Sequence, residues 1–321
     1  MSKYPPIPLN LPTIELIKQI LDVSAEEACT HESVRRFMSA TAMPIDDTVQ
    51  KEDRTIEIDN IKVDISIVRP LEYKNKVLPV ILLLHGGGWA FGDYSAFSAF
   101  ISELVNRANA CLVFVHYSLS PEVKHPVALE ECYAALCWIQ KNANSLNIDS
   151  SRLAVAGDSA GGNLSAALTL LSKQRGNTGI SQQVLFYPVT DSNFETSTYE
   201  EYKDDIFLDR AMMKHVWEVY VRNKEDYDLP LLAPLKSTVE ELKGLPPALI
   251  INAEIDVLRD DGEAYARKLK KAGVNTISTR YNNVRHAFVT LATPTICPEG
   301  ILAIQQTVNW LKKEWKTESK L

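Results

Sequence analysis

The stretch Gly157-Asp158-Ser159-Ala160-Gly161 constrains this chain more than any other. It follows the apolar run Leu153–Ala156 and precedes a segment of helical periodicity from about Gly162 to Arg175. A strand that turns into a helix within five residues leaves no space for side chains beside the turn, and glycine and alanine meet that demand. Strand, tight turn and helix together form a unit of a parallel sheet, so the chain is expected to be α/β.

The rest of the chain carries the same alternation. Thr55–Asp59 and Val63–Arg69 read as strands, and the nearly continuous apolar run Val77–Leu84 reads as a strand buried on both faces. A helix is expected over about Ser98–Ala108, then strand Cys111–His116, then a helix over about Val127–Asn144. Strand Gln183–Tyr187 follows the Gly162–Arg175 helix. The pattern resumes with strand Ala248–Asn252, helix Gly262–Ala272, strand Thr276–Arg280 and a final helix over about Ile301–Trp315. Two sections interrupt it. Residues 1 to about 50 show helical spacing at Ile14, Leu16, Ile17, Ile20 and Leu21, with a second helix over Glu32–Met38. Residues 191 to about 240 group Met212, Val216, Trp217 and Tyr220 at helical intervals. The expected architecture is one domain over 1–321. Its body, about 51–190 and 241–321, is a mostly parallel twisted sheet flanked by helices. Its helical cap comes from about 1–50 and about 191–240.

Composition narrows the class. The net charge of −7 argues against a general nucleic-acid binder, which would present a basic surface. The longest apolar run is too short to span a bilayer, so stable membrane insertion is not expected. Five widely spaced cysteines with no C-x-x-C pattern suggest neither a disulfide scaffold nor a zinc site, and scattered thiols fit an intracellular compartment. No metal or organic cofactor is expected. The last residues, Ser319-Lys320-Leu321, match the peroxisomal import signal, so a peroxisomal import receptor is an expected partner in a eukaryote. Without a native terminus there, the expected location is the cytoplasm.

The chemistry-bearing residues fall at strand ends. Ser159, in its tight turn, is the candidate nucleophile. His85-Gly86-Gly87-Gly88-Trp89 follows the strand ending at Leu84. Three adjacent glycines let backbone N–H groups converge on one point, and with the N–H of Ala160 they would stabilise an oxyanion. A serine nucleophile needs a base, and the base needs an orienting acid. Of the two histidines after Ser159, His215 sits on a helical packing face and His286 follows a strand, so His286 is the candidate base. Asp256 is the candidate acid on placement after strand Ala248–Asn252, with Glu254, Asp260 and Asp261 as competitors. Asp158 reads as structural. Trp89 and Phe91 either line the substrate pocket or pack under the cap. Tyr199, Tyr202, Phe207 and Met212 are either pocket roof or cap core.

These motifs, with Asp256 in Asp-Val-Leu-Arg-Asp and His286 in His-Ala-Phe, resemble the hormone-sensitive-lipase-like family of α/β-hydrolases from about residue 55 to the end. The resemblance implies the α/β-hydrolase fold. It also implies a triad of Ser159, Asp256 and His286, and oxyanion donors led by Gly87, Gly88 and Ala160 with Gly86 shaping the loop. The implied activity is hydrolysis of small, short- to medium-chain carboxylic esters through an acyl-enzyme. An amidase or deacetylase of small acylated amines uses the same machinery. A ligand-binding receptor on the same fold is a remote alternative, because relatives of that kind have lost the histidine. Members are often monomers or dimers, so the resemblance implies a monomer or homodimer. Three departures stand out. The family often has Asp-Pro-Leu for Asp256-Val257-Leu258 and His-Gly-Phe for His286-Ala287-Phe288. It often has an arginine at Ser118, which puts one structural salt bridge in question.

Overall fold

The computed structural model describes residues 4–40, 47–73, 75–291 and 297–318. The tail Ser319-Lys320-Leu321 lies outside the described residues.

Three helices come first: α1 (Leu11–Leu21), α2 (Ala25–Ala28) and α3 (His31–Ala40). Local chemistry sets where they start. The Asn10 side chain accepts the N–H of Thr13 at α1, and Ser24 and Glu27 form a reciprocal capping box at α2. The hairpin β1 (Val49–Ile58) and β2 (Ile61–Pro70) follows. Next come β3 (Leu78–Leu84), α4 (Tyr94–Ala108), β4 (Cys111–His116), α5 (Val127–Lys141), β5 (Ile148–Asp158), α6 (Ala160–Gln174) and β6 (Gln182–Phe186). A helical stretch carries α7 (Ser197–Glu201), α8 (Arg210–Tyr220) and α9 (Val239–Leu242). The chain closes with β7 (Ala248–Ile255), α10 (Arg259–Lys271), β8 (Thr276–Arg285) and α11 (Pro298–Glu318).

The eight strands form one sheet in the order β1-β2-β4-β3-β5-β6-β7-β8. β1–β2 and β2–β4 pair antiparallel, and every other pair is parallel. β3 lies inside the sheet and is buried along its whole length. Its side chains alternate between the two faces. Val80, Leu82 and Leu84 join one core, shared with Leu129 of α5 and Leu164 of α6. Ile81 and Leu83 join the other, shared with Phe100 of α4 and Ile304 of α11. A sheet covered on both faces needs such unbroken apolar strands. All strand carboxyl ends from β3 to β8 therefore point to one edge.

Element boundaries differ from the sequence reading mainly where polar residues continue a strand or helix. β1 begins six residues before Thr55, because this half-exposed edge strand is held by backbone pairing of Val49–Glu57 with Lys62–Pro70 and not by an apolar pattern. α4 begins at Tyr94, where Asp93 caps it by accepting the N–H of Ala96. β8 runs on to Arg285, which places His286 directly at the strand end.

Candidate active site

Ser159 sits between β5 and α6 with φ 54° and ψ −118°, a strained conformation for a residue with a side chain. The surroundings impose it. The Ser159 N–H donates to the Phe186 carbonyl at 2.9 Å, and the Ser159 carbonyl accepts from Asn163 and Val189. A Cβ on Gly161 would lie 1.9 Å from the Leu84 carbonyl oxygen, and one on Gly157 would lie 2.2 Å from the Gly161 oxygen. Both positions accept glycine alone, as the sequence motif implies.

His286 comes to this turn from β8. Its Nε2 lies 2.9 Å from Ser159 Oγ, and its Nδ1 lies 2.7 Å from Asp256 Oδ2. Asp256 is almost fully buried just past β7, and its other oxygen accepts the N–H of Leu258. The carboxylate accepts the Nδ1 proton, which leaves Nε2 as acceptor for the serine hydroxyl. The competitors for the acid role are engaged elsewhere. Glu254 accepts the Asn283 N–H, Asp260 accepts from Ser197 and Thr198, and Asp261 accepts the N–H groups of Thr190 and Asp191. His215 lies in α8 against His31, with their Nε2 atoms 3.4 Å apart.

The glycine loop after β3 faces the same serine. Gly87 (φ 104°) and Gly88 (φ 60°) line a cavity with Ser159 and His286. Ala160 is the first residue of α6, so its N–H is one of the donors that a helix N-terminus leaves without an intrahelical partner. Gly86 does not join this set: its N–H donates to Asp158 Oδ1 at 2.8 Å and is already committed. Burial pushes that Asp158 carboxyl up to about 7. His85 packs face to face with Tyr117 at 4.2 Å, and burial holds it neutral, with its pKa down to about 4.

The cavity measures about 450 Å³ and is lined mainly by apolar side chains. Phe91 lines it, as one sequence alternative had it. Trp89 does not: its own positive φ of 57° turns it away, and it stacks on Tyr220 at 4.3 Å, fully buried in the seam with α8. Of the four roof candidates, Phe207 and Met212 line the cavity. Tyr199 is buried against Phe194, and Tyr202 packs on Arg259. Sequence reasoning missed Val34, Phe37 and Met38, which α3 sends into the cavity. Their i, i+3, i+4 spacing was the available signal.

Residues 81–290 match the alpha/beta hydrolase fold family. The chain belongs to that family. It is 35% identical over 251 residues to an arylesterase of Saccharolobus solfataricus, covering 78% of this chain and 80% of the relative. It is 35% identical over 243 residues to a carboxylesterase of Mycobacterium tuberculosis, covering 75% of this chain and 76% of the relative. Among solved structures, an esterase of the fungus Rhizomucor miehei superposes with a TM-score of 0.87 at 40% identity, covering 98% of this chain and 99% of the other. Within the alpha/beta hydrolase family, these relatives put the chain with the hormone-sensitive-lipase-like esterases.

Of the departures from that family's usual residues, two have visible consequences. Ser118 donates its N–H and its hydroxyl to the buried carboxylate of Glu131, a job two neutral donors share in place of a cation. Burial raises the Glu131 pKa. Ala287 has φ 64°, which is a conformation that favours the glycine more common there.

Proposed function

We propose that this chain is a serine carboxylesterase for uncharged, apolar esters, with Ser159 as nucleophile, His286 as base and Asp256 as its orienting acid. The observation that carries the reading is the continuous Ser159–His286–Asp256 hydrogen-bond chain on the wall of an apolar cavity. Ser159 Oγ attacks the ester carbonyl carbon while its proton passes to His286 Nε2. The carbonyl oxygen becomes an oxyanion held by N–H groups of Gly87, Gly88 and Ala160. Asp256 stabilises the imidazolium. His286 then protonates the departing alkoxide, leaving an acyl-Ser159, and water repeats the cycle to release the acid.

Among the described residues, the ionisable side chains lining the cavity are Asp158 and the proposed base His286. Among the described residues no Lys or Arg lines it to recognise a charged acyl or alcohol group, which supports neutral substrates. The cap of the proposed architecture, from about 1–50 and 191–240, supplies Val34, Phe37, Met38, Phe207, Met212 and Val216 to the cavity. Labelling with a fluorophosphonate tests the nucleophile. A phosphonyl adduct on the peptide containing Ser159 is expected, and an adduct on any other serine contradicts the reading.

No helix among the described residues is long and apolar enough to cross a membrane. Two finer readings remain proposals. Import into peroxisomes through Ser319-Lys320-Leu321 is tested by a fluorescent fusion carrying the last dozen residues, and a diffuse signal contradicts it. A monomer or homodimer is expected on sizing with light scattering, and a larger assembly contradicts that.

A further inference from the structure

The loop that carries Gly87 and Gly88 is strained. Three successive residues take positive φ: Gly87 at 104°, Gly88 at 60° and Trp89 at 57°. The two glycines accept this freely, but a bulky tryptophan does not. Such a segment persists only where its surroundings over-determine it. Within the loop, the N–H groups of Ala90 and Phe91 both reach the Gly87 carbonyl, at 3.1 and 2.9 Å. Those bonds close a turn and do not fix where the turn sits.

The restraints from outside come through the cap. Arg35 of α3 donates Nε to the Ala90 carbonyl at 2.8 Å and Nη2 to the Ser120 carbonyl at 2.7 Å. The Ser120 N–H in turn donates to the Trp89 carbonyl at 2.8 Å. Arg35, Ala90, Trp89 and Ser120 thus form a closed circuit through the strained residue. The guanidinium is itself aimed by Glu122, which accepts Nη1 at 3.0 Å and Nη2 at 2.8 Å. A planar five-donor group can make these four bonds to two carbonyls and a carboxylate at once, more than the three donors of an ammonium allow. One turn before Arg35, His31 stacks on Phe91 at 5.5 Å. From the other cap segment, Val216 stands where a Cβ on Gly88 would be, 2.6 Å away.

We propose that the N-terminal cap holds the oxyanion loop in its working shape and that Arg35 is the positioning residue. The proposal rests on the reading of Gly87 and Gly88 as oxyanion donors. Losing Arg35 lets the loop relax away from the serine. Ground-state binding in the apolar cavity is little affected, because Arg35 does not line it. The loss falls on the transition state, where the N–H groups meet developing charge.

The test uses the full chain with Arg35→Ala, Arg35→Lys, Glu122→Gln and Ser159→Ala. The readouts are kcat and KM on p-nitrophenyl butyrate, affinity for an alkyl trifluoromethyl ketone, and competent-site fraction by fluorophosphonate titration. The ketone adds Ser159 Oγ to its carbonyl carbon and leaves an oxyanion in the hole. Arg35→Ala is expected to lower kcat per competent site by roughly 10- to 100-fold, with KM within about twofold, and to weaken the ketone by a similar factor. Glu122→Gln, which keeps the Ala90 bond, is expected to lose less than about threefold. Arg35→Lys falls between them and carries the test if the alanine variant does not fold. Unchanged kcat per competent site in Arg35→Ala, or in Arg35→Lys if that is the variant that folds, overturns the proposal. So does a loss equal to that of Glu122→Gln. If Ser159→Ala keeps activity, the triad reading itself fails, which is a separate result from a failed Arg35.

Discussion

Asp158 accepts the backbone N–H of Gly86 at 2.8 Å, so the residue beside Ser159 ties the glycine loop to the turn it faces. The carboxylate does this while buried, and burial raises its pKa to about 7 against the opposing effect of the Gly86 bond. The folded-state value lies above that of the unfolded chain, near 4. Its contribution to stability is therefore fully present below about pH 4 and is lost as pH rises through about 7. Asp158→Asn keeps an acceptor for Gly86 and cannot ionise. Its melting temperature relative to the parent is expected to rise between about pH 5 and about pH 8, as scanning calorimetry would show. A constant difference across that range contradicts the burial argument.

Asp256 and its acidic neighbours differ in what they touch. Asp256→Asn removes the charge that orients His286 and is expected to lower kcat by about 10⁴-fold. Glu254→Gln and Asp260→Asn, whose carboxylates serve the Asn283, Ser197 and Thr198 donors, are expected to keep kcat within about threefold. Steady-state kinetics on one ester separates the cases.

Ala287, next to His286, takes φ 64°. Left-handed backbone costs an L-residue about 1–2 kcal/mol, and glycine returns part of the gain as unfolded-chain entropy. Ala287→Gly is expected to stabilise the fold by about 0.5–1 kcal/mol in urea denaturation. A lower midpoint would mean that the methyl group packs better than the backbone is strained.

Burial holds His31, His85 and His125 neutral, each with its pKa lowered from 6.5 to about 4. Between these values the unfolded chain binds protons that the folded chain refuses. Stability from these groups is present above about pH 6.5 and is lost as pH falls through about 4, opposite in sign to Asp158. His31→Phe keeps a ring on Phe91 and cannot take the proton. The acid-side drop in melting temperature is expected to be shallower in this variant, and an unchanged slope contradicts it.

Much of this was legible in the residues because the relevant constraints are local. Gly157 and Gly161 mark a turn where any Cβ collides with backbone, and the apolar run ending at Leu84 marks a central strand. Chain order and strand ends then pointed to His286 and Asp256. What sequence did not reveal depends on which way a backbone turns. Trp89 follows the glycines as a pocket residue would, but its positive φ sends it under α8. Gly86 stands first in the glycine run, but a side chain 72 residues away claims its N–H. Arg35 reads as one charge on an amphipathic helix, and only the fold brings Ala90, Ser120 and Glu122 to its fork.

The most direct test of the central claim is hydrolysis of p-nitrophenyl esters from acetate to laurate by the parent and by Ser159→Ala. The account predicts turnover by the parent, best on acyl chains that an apolar cavity of about 450 Å³ can hold. It predicts a fall of about 10⁴-fold or more in the variant. Equal activity in the two proteins, or none from a folded parent on any ester, would contradict it.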